Sequence, residues 1–70
     1  MTTTFHYRRE GYTVHYLSTV GLRRVWLPED ATRLMTQLEA ERSAVAVAIA
    51  RRTKTVVHNV MGEIVFQVSP

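Results

Sequence analysis

Three histidines, three arginine doublets and one tryptophan are the residues of this chain best suited to chemistry. Two of the histidines sit in a repeated dipeptide, His6-Tyr7 and His15-Tyr16, within the stretch FHYRREGYTVHY of residues 5–16. Read as two strands folded over a two-residue loop at Glu10-Gly11, this stretch places His6 opposite His15. Directly opposed Cβ atoms stand about 4.5–5.5 Å apart. Three chemistries are compatible with that geometry. A zinc site needs a third or fourth ligand; His58 is the one further imidazole, and no carboxylate is placed to help. Acid–base attack on a phosphodiester would pair the imidazoles with an arginine that stabilises developing charge. No spacing in the chain marks such a nuclease, and so short a chain leaves little room for a cleft. The third use is a binding surface. Arginine and tryptophan supply hot spots at protein interfaces, and the same residues can contact phosphates and stack on bases.

The third use is the one the residues favour. His6, Arg8, His15, Arg24 and Trp26 are the expected partner-binding residues. No catalytic, cofactor-binding or metal-binding residue is assigned, and no cofactor is implied. The chain has no glycine-rich phosphate loop, no Walker lysine, no paired catalytic carboxylates and no cysteine nucleophile. A helix-turn-helix reading fails for want of a second helix.

The elements that must position these residues follow from periodicity. In the opening hairpin one face carries Phe5, Tyr7, Tyr12, Val14 and Tyr16, and the other carries Thr4, His6, Arg8, Thr13 and His15, because side chains alternate along a strand. A turn at Ser18 to Gly21 then leads into a third strand, residues 22–28. Pairing Leu17 with Leu22 would set Arg24 beside His15 and Trp26 beside Thr13. Pro28-Glu29-Asp30 reads as a helix start, with acids at the positive end of the dipole. Ala31, Leu34, Met35, Leu38, Val45 and Ile49 form the apolar stripe of a helix over residues 29–52, with Arg42 an interruption in it. Residues 44–50, AVAVAIA, also fit a strand. Four alanines, and arginines at the end of the stretch, favour the helix. Residues 55–68 read as a final hairpin over Gly62-Glu63, with Ile64, Phe66 and Val68 on the face of Val57. Both of its faces are apolar, which points to a homo-oligomer, a dimer.

The expected architecture is α+β and two-layered: β-β-β-α-β-β in one domain over residues 1–70, an antiparallel sheet packed on one helix. The bulk properties agree. Seventy residues bury little surface and the chain has no cysteine to staple it. Nine basic and six acidic residues give a net charge of +3, and Lys54 is the single lysine. With no apolar leader and no apolar run of membrane-spanning length, the sequence reads as soluble and cytoplasmic. The expected function is that of a non-enzymatic module, a stoichiometric regulator or inhibitor that binds a larger partner protein through a basic and aromatic sheet face. Nucleic-acid binding by that face is the alternative.

Overall fold

The computed structural model describes residues 10–30 and 32–70. Strands β1 (Glu10–Val20), β2 (Arg23–Pro28) and β3 (Met35–Thr36) precede helix α1 (Gln37–Arg51), and strands β4 (Thr55–His58) and β5 (Ile64–Val68) follow it. The sheet is antiparallel, in the order β2-β1-β4-β5, and β3 pairs with the start of β1. One helix packs on one face, so the expected two-layer α+β class holds; the strand expected before Glu10 lies outside the described residues, and β3 falls inside the span expected to be helix.

The central strand is β1, and its alternation sets the two faces. Tyr12, Val14 and Tyr16 point toward the helix, with Val57 of β4 opposite Val14. Val14, Met35, Ala40, Ala44, Val47 and Val57 form the buried core, and Tyr12, Tyr16, Phe66 and Val68 pack around it.

Glu10-Gly11 is not a turn. Both residues belong to β1, and Gly11 has φ +131°, a conformation that side-chain-bearing residues rarely adopt. A Cβ at Gly11 would also run into the Val60 side chain, so the glycine lets the turn between β4 and β5 come close to β1. The chain instead reverses at Gly21-Leu22, where Val20 pairs Arg23 across a two-residue loop. This tighter turn moves β2 along β1 relative to the expected register. Arg24 lies opposite Thr19 and Trp26 opposite Leu17, not His15 and Thr13. The displacement is an even number of residues, so every side chain keeps its expected face. The first expected strand, with Phe5 and Tyr7, lies outside the described residues.

Helix α1 begins well after Pro28. That proline ends β2, the Glu29 N–H donates to the Val14 carbonyl (2.9 Å), and the Asp30 carboxylate accepts from the Thr32 N–H (3.0 Å) and hydroxyl (2.7 Å) in a tight turn. The helix starts at a capping box. The Glu39 N–H donates to Thr36 Oγ1 (3.3 Å), and the Thr36 N–H donates to Glu39 Oε1 (3.0 Å). It ends at Arg52, whose left-handed backbone (φ 53°, ψ 44°) stops it. Residues 44–50 are helical, as expected.

The buried face of α1 is not the expected stripe. Ala40, Ala44, Val47 and Ala48 face the sheet, while Leu38, Val45 and Ile49 are 48%, 41% and 67% exposed. Alanines let the helix axis come close to a sheet whose tyrosines, valines and Phe66 already fill the space between the layers; larger residues there would overfill it. Arg42, the interruption in the expected stripe, is exposed, as are Leu38, Val45 and Ile49 beside it. Met35 is buried from β3, Leu34 is exposed, and Ala31 lies outside the described residues.

Between β4 and β5 the chain turns through five residues rather than two. Asn59 organises them: its Oδ1 accepts from the Met61 and Glu63 N–H groups, both at 2.9 Å, and its N–H donates to the Glu63 carbonyl (3.0 Å). A bulge follows, so that Val57 pairs Phe66 but His58 pairs Ile64. Phe66 and Val68 share the helix-facing side with Val57, as expected. The bulge carries Ile64 to the other side. No helix among the described residues is long and apolar enough to cross a membrane.

Candidate binding face of the sheet

The face of the sheet turned away from α1 carries Thr13, His15, Leu17 and Thr19 from β1, Arg24 and Trp26 from β2, Val56 and His58 from β4, and Ile64 and Gln67 from β5. Among the described residues no helix packs on it. Three of the five expected binding residues, His15, Arg24 and Trp26, share this face. His6 and Arg8 lie outside the described residues.

His15 is the centre of the arrangement. Its two lateral neighbours are Pro28 on β2 and Val56 on β4. Both pairing edges of β1 are therefore filled at this position by described strands, and His6, the partner expected from the sequence, lies outside the described residues. The histidine that His15 meets is His58. The two lie on a diagonal between adjacent strands, and their rings stack with centroids 4.0 Å apart and planes 29° from parallel. The Thr13 hydroxyl and His15 Nε2 share a hydrogen bond of 2.9 Å, which fixes the ring in the stack. Burial lowers the His15 pKa from the usual imidazole value, and the neighbouring His58 lowers it further. His15 is thus held toward the neutral form, its ring stacked on that of His58.

Trp26 lies opposite Leu17, one step along β1 from the histidine stack, and both are half-buried. Val56, between His15 and Gln67, is fully buried. Arg24 is exposed, opposite Thr19 and four residues along β1 from the position of His15, roughly 13 Å away. The face therefore has an aromatic and aliphatic middle with an arginine at one end. At the other end a depression of about 400 Å³ opens between Gly11, Thr13, His15, His58, Asn59 and Val60.

On the helix side, Arg51 makes a contact that its position as a helix-ending charge did not reveal. Its Nε donates to Glu29 Oε2 (2.9 Å) and its Nη2 to Glu29 Oε1 (3.1 Å), while the guanidinium lies 4.0 Å from the centre of the Tyr16 ring. This fastens the end of α1 to the end of β2. Among the described residues no group of three or more histidine, cysteine or acidic side chains is placed to hold a metal ion.

The sequence had signalled His58 only as a third metal ligand. Its place beside His15 depends on β4 adding to β1, a pairing between segments far apart in the chain. Leu17 flanks the turn expected at Ser18 to Gly21, and only the observed register sets it opposite Trp26. No family model matches the chain, and neither a curated protein nor a solved structure matches it.

Proposed function

We propose that this chain is a small, non-catalytic interaction module that acts stoichiometrically, docking the helix-free face of its sheet onto a larger protein. The observation that carries the reading is the continuous centre of that face: Trp26, Leu17 and the stacked His15–His58 pair, with Arg24 at the margin. Aromatic anchors surrounded by polar residues, with arginine beside them, are the usual energetic centre of a protein interface. A neutral imidazole, the form favoured at His15, loses less on desolvation than a charged one.

The charge on this face favours a protein over a nucleic acid. Among the described strand residues Arg24 is the only arginine or lysine whose position falls on it; Arg23, one residue earlier, falls on the helix side. Nucleic-acid affinity grows with the number of phosphates neutralised, and one arginine neutralises few.

The test is a fluorescence anisotropy titration with labelled single- and double-stranded DNA and RNA at low and near-physiological salt. The reading requires no saturable binding at near-physiological salt. Saturable binding that weakens steeply with salt and disappears in Arg24→Ala would overturn it in favour of nucleic-acid recognition.

A further inference from the structure

We propose that β5 is a self-association edge, at which a second copy of this chain adds its own β5 in antiparallel register to continue the sheet across a two-fold axis. This edge borders the helix-free face, to which Ile64 and Gln67 belong, but does not depend on that face's role.

Among the described residues the sheet ends in two outer strands, and they differ in kind. An open strand edge presents unpaired N–H and C=O groups, and proteins that stay monomeric blunt such edges with charge or proline. β2 is blunted in this way, by Arg23 and Arg24 at one end and Pro28 at the other. β5, Ile64-Val65-Phe66-Gln67-Val68, contains no charged residue and no proline, and its one bulge lies at the Ile64 end, leaving Phe66-Gln67-Val68 in regular pairing. Among the described residues its one strand neighbour is β4. Apolar surface gathers at the same place: Val60 and Met61 in the hairpin loop, and Ile64 and Val65 on the strand, are all exposed.

An open edge of this sort is completed by another extended strand. A second copy fits because a two-fold interface presents the same patch to itself. A strand paired with its own copy tolerates charge poorly, since like charges would approach across the axis. The neutrality of β5 meets that requirement. With the axis at Phe66, the two Phe66 rings face each other and Val65 of each copy lies opposite Gln67 of the other. Phe66 and Val68, which the helix covers only in part, would each gain a second covered side.

The test is sedimentation velocity on the full chain into the hundreds of micromolar, with Val65→Lys and Ile49→Lys alongside, and circular dichroism to verify folding. The inference requires a dimer in the parent and in Ile49→Lys, and loss of the dimer in Val65→Lys. A parent that stays monomeric throughout, or a folded Val65→Lys that still dimerises, overturns it. If Val65→Lys does not fold, cysteine cross-linking decides, which is clean in a chain with no cysteine of its own. A short bis-maleimide should join Gln67→Cys chains much faster than Leu22→Cys chains, whose cysteine sits at the distant β1–β2 turn. Equal rates overturn the inference.

Discussion

The imidazoles of His15 and His58 stack 4.0 Å apart although their backbones are not direct partners: His15 is paired with Val56 and His58 with Thr13. The contact exists because β4 is laid antiparallel against the middle of β1, which brings two side chains of the same face onto one diagonal. It gives the helix-free face a titratable centre.

The first consequence is a dependence of stability on pH. The folded state lowers the His15 pKa, through burial first and His58 second, so the unfolded chain binds the proton more readily. His15 therefore contributes stability fully above the ordinary imidazole pKa of about 6.5, and that contribution is lost as pH falls through this value toward the lowered native one. Thermal melts between about pH 8 and pH 5 should show the midpoint falling with acid. The His15→Gln variant should show a flatter profile over the same range.

Gly11 tests the strand reading of Glu10-Gly11. Substitution by alanine imposes an unfavourable backbone conformation and a clash with Val60. Gly11→Ala should lose roughly 2–4 kcal/mol in urea unfolding. Adding Val60→Ala should recover part of the loss, because it relieves the clash and leaves the backbone strain. A glycine in an exposed hairpin loop would show no such recovery.

The helix boundary makes a separate prediction. Thr36→Ala removes the acceptor for the Glu39 N–H and half of the capping box. It should cost about 1 kcal/mol of stability by chemical denaturation. Replacing Pro28 with alanine should not shorten the helix as read by circular dichroism, since Pro28 belongs to β2.

Which side of the helix is buried can be tested with one pair of variants. Ala44→Leu places a large side chain in a fully buried position and should cost roughly 1–3 kcal/mol. Ile49→Glu alters an exposed position and should change stability by no more than about 0.5 kcal/mol. The opposite ranking would mean that α1 presents its other face to the sheet.

Much of this arrangement was legible in the residues, and the parts that were not share a cause. Alternation alone put Tyr12, Val14 and Tyr16 on the core side, and it put His15, Arg24 and Trp26 together on the other, because parity survives an even shift in register. The helical state of residues 44–50 followed from alanine and the terminal arginines. Gly11 misled because a glycine needed for close approach has the same appearance in a sequence as a glycine needed for a turn. The helix start was misplaced because Pro28-Glu29-Asp30 is a strong local signal, while Thr36-Gln37-Leu38-Glu39 is a capping box whose value shows only once the strand before it is known. The helix face was inverted because hydrophobicity ranks leucine and isoleucine above alanine, whereas a closely packed layer selects for size. The His15–His58 stack required a pairing between distant segments that no local pattern encodes.

The most direct test of the proposed binding face is a quantitative comparison of four immobilised forms of the chain: the parent, Trp26→Ala, Arg24→Ala and Ile49→Glu. A protein captured by the parent from a lysate would be purified, and its affinity and stoichiometry for each form measured by calorimetry. The account predicts an equimolar complex, weakened about 30-fold or more by Trp26→Ala, as expected of an interface anchor worth about 2 kcal/mol or more. Arg24→Ala should weaken it less, and Ile49→Glu should leave it unchanged. A complex indifferent to Trp26→Ala and lost in Ile49→Glu would contradict the account and place the binding surface on the helix.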